Sequence, residues 1–192
     1  MNGHPGGAEH TRKLLDIAAL PVGSRILDLG AGDGSTVSLL RALGYLADGI
    51  DLKPQVPLAW QEETNSHREN LPIAPKPLVQ KGNLLATGYP DESFDAVLSE
   101  CSFYVSGHVP QALAEAARIL KPNGLLLWSD VFFDDPLPLL QEASFSVLSL
   151  EDITPLWREY YLEAIWNGAD VSCVPKGKCR YLALLAIKCA ST

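Results

Sequence analysis

Short apolar runs alternate with amphipathic stretches along almost the whole chain. Leu14, Ile17 and Ala18 recur at helical spacing, and "LPVGS" breaks that helix before an apolar strand over Arg25–Leu29. Ser35 or Thr36 opens a second helix with Val37, Leu40 and Leu43 on one side; Gly44 stops it, and "YLADGIDL" reads as the next strand. Pro57 is placed to be the first residue of a polar helix over "LAWQEETNSHREN". "LVQKG" and "FDAVLS" are short β-rich runs separated by the turn-like "TGYPDES". "VPQALAEAARIL" sets Leu113, Ala116, Ala117 and Leu120 on one helical face, starting at Pro110 and ended by "KPNG". "GLLLWSDVFF" is apolar almost throughout, as a central parallel strand covered on both faces must be. "PLPLLQEA" reads as a short helix and "FSVLSL" alternates like a strand. "PLWREYYLEAIWNG" carries Trp157, Tyr161, Ala164 and Ile165 on one side, and "RYLALLAIK" is the final strand.

About seven strands alternating with helices predict an α/β fold, a Rossmann-like, doubly wound and mostly parallel sheet with helices on both faces. In such a sheet ligands bind outside the carboxyl ends of the strands. A length of 192 residues suits a single domain. The apolar runs fall far short of the roughly 18 residues a membrane-spanning helix needs, so no membrane insertion is expected. The polar, glycine-rich opening "MNGHPGGAEH" has no secretory pattern, which predicts a cytoplasmic address. A net charge of −8 would repel a phosphate backbone, so nucleic acid is not an expected partner and a small-molecule substrate is. Cys101, Cys173, Cys179 and Cys189 form no C-x-x-C pair and meet no His at zinc-finger spacing, so reduced thiols and no metal are expected.

The candidate chemistry centres on "RILDLGAGDGST". A dinucleotide fingerprint starting at Gly30 needs its third glycine at position 35, which is Ser35; the glycines stand instead at 30, 32 and 34. No Gly-Lys-Ser/Thr follows, so a P-loop is excluded. Asp28 would repel a pyrophosphate but suits an ammonium group. Asp51, 21 positions after Gly30 and at the end of the second strand, is placed to accept both hydroxyls of a ribose. The implied ligand carries a ribose, an amine and a small carboxylate.

Together "ILDLGAGDG", "GIDL", "KGNLLATGYPDESFDAVLSE" and "ALAEAARILKPNGLLLWSD" resemble the class I S-adenosylmethionine-dependent methyltransferases, in the right order from Arg25 to Val131. Within them the chain is most similar to the bacterial group that includes quinone-biosynthesis C-methyltransferases and arsenite methyltransferases. The resemblance implies the class I methyltransferase fold, S-adenosyl-L-methionine as cofactor and transfer of its methyl group to a small-molecule acceptor. Asp28 would then meet the methionine amine, and Gly30, Ala31 and Gly32 would pass beneath the cofactor. Asp51 would hold the ribose and Leu52 would pack on the adenine. The family's usual Gly-Asp pair is here Gly82-Asn83, so the Asn83 side-chain oxygen, with Leu84 beside it, would accept from the adenine amino group. Glu100 and Cys101 would line the methionine portion through their backbone. Thr87-Gly88-Tyr89 departs from the family's Leu-Pro-Phe. Residues 1–24 would form an arm and helix, a lid carrying His4, Gly6, Gly7, His10 and Thr11, ahead of a methyltransferase domain over 25–192. Each polar residue also has a structural reading: a helix cap at Asp28, a solvated turn at Asp51, a turn residue at Asn83. Asp95 reads as structural, because it begins a strand away from the ligand end.

Methyl transfer is an in-line displacement in which alignment and exclusion of water supply most of the rate, so a base is optional. Tyr104 and His108 are the candidate proton acceptors. Trp128, Phe132, Phe133, Trp157, Tyr160 and Trp166 are candidates for an aromatic acceptor pocket, and Cys101 with Cys173 or Cys179 for a metalloid site. Two other readings compete: a nicotinamide-dependent oxidoreductase, opposed by Ser35 and Asp28, and an S-adenosylmethionine-binding protein without catalysis.

Overall fold

The computed structural model describes residues 3–55, 78–168, 174–175 and 177–190; the helix expected over 58–70 and Cys173 lie outside them. The elements in chain order are α1 (Gly7–Ala18), β1 (Arg25–Leu29), α2 (Ser35–Ala42), β2 (Leu46–Asp51), β3 (Val79–Lys81) and β4 (Phe94–Glu100). There follow α3 (Phe103–Ser106), α4 (Val109–Ile119), β5 (Leu120–Phe132), α5 (Leu137–Glu142), β6 (Phe145–Asp152), α6 (Thr154–Trp166) and β7 (Arg180–Lys188). Among the described residues no helix is long and apolar enough to cross a membrane.

The strands form one sheet in the order β3-β2-β1-β4-β5-β7-β6. Pairing is parallel from β3 through β5, and β7 runs antiparallel to both β5 and β6. This is the Rossmann-like class I methyltransferase architecture. The burial of each strand explains its place. β7 is buried over Tyr181–Ala186 and so belongs in the interior of the sheet, whereas β6 is buried only at Phe145, is half-buried or exposed beyond it, and forms the edge.

Two apolar layers cover the sheet. Leu113, Ala116 and Ile119 of α4 pack with Leu27, Val97 and Leu126 on one face. Leu14 and Leu15 of α1 and Val37 and Leu40 of α2 pack with Ile26, Leu98 and Leu127 on the other. The buried side of α1 therefore differs from the expected one: it carries His10, Thr11, Leu14 and Leu15, while Ile17 is 45% exposed. Two polar residues can occupy it because each finds a buried hydrogen-bond partner on the sheet.

β5 also begins earlier than "KPNG" suggested. Leu120 already pairs with Phe94, and the strand then bulges through Asn123 before Leu125 pairs with Ala96. At the same end Asp95 accepts the Arg25 N–H (2.8 Å) and the Lys121 ammonium (2.6 Å), so it ties together strand ends remote from the ligand side.

β2 meets α2 closely at Gly49, where an added Cβ would lie 2.7 Å from both Ala31 Cβ and Val37 Cγ2. Gly49→Ala should therefore push α2 off the sheet and cost about 1–3 kcal/mol. Urea unfolding should show this as a lower midpoint with an unchanged slope; an unchanged midpoint would disprove the tight packing.

Candidate functional site

Parallel pairing of β1, β2 and β4 brings Asp28, Asp51 and Glu100 to one edge of the sheet. Between them runs the loop of residues 30–34. Its first two amides, Gly30 and Ala31, donate to the Ile50 carbonyl (2.9 and 3.0 Å), which fastens the loop to β2. Gly30 has φ +85°, and a Cβ there would come 2.0 Å from Ser102 Oγ. Glycine is required on both counts.

The loop separates two lobes of one cleft that share Gly3, Gly30 and Glu100 as walls. The smaller lobe, about 140 Å³, is lined by Asp28, Ala31, Gly32, Asp33 and Thr36. The larger, about 540 Å³, is lined by Asp51, Leu52, Asn83, Leu84, Cys101 and Ser102. All ten residues assigned to the cofactor from the sequence line one lobe or both.

Their electrostatics differ. Asp28 is buried, and among the described residues its carboxyl has no hydrogen-bond partner. Burial, then repulsion from Asp51 and Asp33, pushes its pKa up to about 7. Glu100 is pushed well above the ordinary carboxylate range, by burial first and then by Asp28. Its carboxyl receives the Thr11 hydroxyl (3.1 and 3.2 Å) and lies 3.1 Å from His4 Nε2. Burial lowers His4 as it raises Glu100, so it works against an ion pair between them and leaves the hydrogen bond as their contact. His10 is pulled down to about 4, by burial and then by His4, and its Nε2 is 2.9 Å from Ser129 Oγ.

Asp51 is held in place by backbone amides. Oδ2 accepts from Gly32 (3.0 Å) and Oδ1 from Lys53 (2.7 Å), leaving a lone pair on each oxygen toward the larger lobe. Leu52 beside it is 59% exposed, an apolar surface on the cleft wall. Asn83 Oδ1 takes the Leu85 N–H (2.9 Å), so the oxygen assigned to an adenine amine also holds its own turn. Thr87, at the departure from the family pattern, donates its N–H (2.7 Å) and hydroxyl (2.6 Å) to Glu115 of α4. That pair of bonds anchors the loop.

Other sequence candidates are placed elsewhere. His108 is exposed at the start of α4, and neither it nor Tyr104 lines either lobe. Tyr104 neighbours Val105 and Ser106 of the larger lobe, and its ring meets Phe133 at 5.9 Å. Trp128 and Phe132 are buried in the core against each other, Trp157 packs with Tyr161 and Tyr181, and Trp166 is 91% exposed; these aromatics do not form one pocket. Cys101 Sγ lies 2.8 Å from the Tyr181 hydroxyl, and no group of His, Cys, Asp or Glu among the described residues is arranged to hold a metal. Of the residues expected in the lid, His4 lines the smaller lobe and Thr11 reaches Glu100, whereas Gly3, which lines both lobes, has no signal of its own in the sequence. Ser102, in the stretch "SECSFYVSGH" that the sequence places beyond the fourth strand, lines the larger lobe.

A model of the methyltransferase domain family matches residues 27–128, more than half of the chain. The chain belongs to the class I S-adenosylmethionine-dependent methyltransferase superfamily. An uncharacterised methyltransferase of Bacillus subtilis, YodH, is 32% identical over 135 residues, covering 70% of this methyltransferase-family chain and 55% of YodH. A demethylmenaquinone methyltransferase of Tropheryma whipplei is 31% identical over 115 residues, covering 60% of the chain and 44% of that enzyme. The chain thus spans about half the length of these two relatives. In fold it is similar to Haemonchus contortus phosphoethanolamine N-methyltransferase 2, with a TM-score of 0.71 at 15% identity, covering 97% of the chain and 54% of that structure.

The raised pKa of Asp28 gives a stability test in this methyltransferase-family fold. Unfolded, the carboxyl ionises near 4; folded, it stays protonated to about 7, so the folded state loses stability as pH rises between those values. Asp28→Asn should leave the melting temperature almost unchanged at pH 4 and raise stability at pH 8 by on the order of 2–4 kcal/mol. Equal melting temperatures at pH 8 would contradict the burial argument.

Proposed function

We propose that the cleft binds S-adenosyl-L-methionine and that the chain transfers the cofactor's methyl group to a small-molecule acceptor. The observation that carries this reading is the buried carboxyl of Asp28, without a hydrogen-bond partner among the described residues, beside a glycine loop with Asp51 across it. A cationic amine satisfies the first group and ribose hydroxyls the second, whereas a pyrophosphate would meet several carboxylates at once. That repulsion disfavours the nicotinamide reading.

When bound, the cofactor supplies a methyl group on a sulfonium sulfur, which departs as a neutral thioether. The chain's own residues bind and orient it: Asp28 faces the amine, Gly30, Ala31 and Gly32 let the backbone approach, Asp51 holds the ribose, and Leu52, Asn83 and Leu84 surround the adenine. Glu100 and Cys101 close the wall between the lobes. Tyr104 and His108 stand outside that lining, so alignment and water exclusion carry the rate, with Tyr104 left at the side that faces Phe133. The arm is the proposed cover, because Gly3 and His4 wall the cleft and His4 and Thr11 reach Glu100.

Titration calorimetry with S-adenosylhomocysteine tests the reading. Saturable one-site binding is expected, with Asp51→Ala weakening it by about tenfold or more and Asn83→Ala by less, because only Asp51 presents two oxygens. Folded protein that does not bind would remove the proposal, and wild-type affinity in Asp51→Ala would remove the ribose assignment. Binding with no turnover of any acceptor would instead identify a non-catalytic binder. For the arm, His4→Ala should speed release of S-adenosylhomocysteine several-fold in stopped-flow measurements; an unchanged rate would mean that the arm is no cover.

A further inference from the structure

A second cavity, of about 710 Å³, opens beside the end of β5, lined by Phe133, Asp152, Thr154, Arg158, Lys178 and Arg180 among others. It is on the same side of the sheet as the cofactor cleft. Arg180 pairs with Phe132 where β5 ends, because β7 runs antiparallel and starts where its parallel neighbours finish. A chain of contacts joins the two. Cys101, on the cleft wall, meets the Tyr181 hydroxyl at 2.8 Å, and the Tyr181 N–H donates to Thr154 Oγ1 at 2.9 Å. Tyr104, next to cleft residues Val105 and Ser106, touches Phe133 on the cavity wall.

The charge of this cavity contradicts that of the chain. Acidic residues outnumber basic ones 23 to 15 overall, yet Arg158, Lys178 and Arg180 gather here around one carboxylate. That carboxylate, Asp152, already accepts the Thr154 N–H (3.0 Å) and hydroxyl (2.5 Å). Among the described residues none of the three cations has a hydrogen bond or an ion pair within 4 Å. Arg180 and Arg158 act on Asp152 only through longer-range charge, which, after the Thr154 hydrogen bonds, helps to lower its pKa, so their N–H donors remain open to an anion. Two guanidinium groups suit an anion with two oxygens in a plane, and Phe133, 46% exposed, offers a ring face beside them.

We propose that this cavity holds the anionic group of the methyl acceptor, a small molecule with a carboxylate or phosphate attached to an apolar or aromatic body that packs on Phe133. The proposal rests on the methyl-transfer reading for the acceptor's role, but the anion site stands on its own geometry. The reacting atom of such a molecule would lie on the side of Tyr104, between anion and cofactor.

Calorimetric titration of the intact chain with benzoate, phenyl phosphate and the neutral benzamide, each with and without S-adenosylhomocysteine, tests it. At least one anion should bind about tenfold more tightly than benzamide, and the benzoate and phenyl phosphate arms tell a carboxylate from a phosphate preference. R158Q with R180Q should abolish the preference while leaving S-adenosylhomocysteine affinity within about twofold, which also shows that the variant is folded. Neither anion outbinding benzamide, or a preference that survives in the double variant, overturns the proposal. If S-adenosylhomocysteine binds and the preference is absent, the anion site alone is wrong; if the preference is present without S-adenosylhomocysteine binding, the cofactor reading alone is wrong.

Discussion

Keeping the carboxyls of Asp28 and Glu100 out of water, at the ends of two paired strands, is the constraint that organises this molecule. Each group would be ionised in solvent, and each is driven toward its protonated form by burial and by the other acids nearby. The two are compensated differently. Glu100 has the Thr11 hydroxyl and the His4 ring, whereas Asp28 has no hydrogen-bond partner among the described residues and faces the small lobe. Burial of Asp28 therefore disfavours its ionised form, and the proposed pairing with a cationic amine rests on that.

The glycine loop follows from the same constraint. The chain after β1 turns back over β2 and so walls the small lobe, and the Ile50 carbonyl that receives two loop amides holds it there. Any side chain at Gly30 would collide with Ser102, on the segment that leaves β4. The loop, the β2 end and the β4 end are consequently one unit, fixed by backbone hydrogen bonds and by a contact that only glycine permits.

The antiparallel β7 shapes the other side of the site. Because its amino end lies next to the carboxyl end of β5, Arg180 and Tyr181 are delivered to the ligand edge of a sheet whose parallel strands offer only their last residues there. Tyr181, fully buried, then links Cys101 and Ser129 to Thr154 at the start of α6. The cleft at the ends of β1, β2 and β4 and the basic cavity share this scaffold.

Local pattern in the sequence is enough for the alternation of strands and helices, for the loop after β1 and for the placing of Asp28 and Asp51 at neighbouring strand ends, because each is written in residues a few positions apart or at the ends of consecutive strands. Ile17 was assigned to the wrong face of α1 since periodicity counts apolar residues and cannot foresee that His10 and Thr11 find buried partners. The four-residue α3 is too short for any period to show. The meeting of Thr11 with Glu100, 89 positions apart, and of Arg158 with Lys178 and Arg180 depends on strand order. Sequence alone thus determined the strands, the loop after β1 and the acids at the strand ends, since hydrophobic periodicity and turn residues act locally. Only the tertiary structure decided which arm residues reach those strand ends and what charge lies beside them, since the meeting of the arm with β4 and the insertion of β7 between β5 and β6 join segments through contacts that leave no local trace.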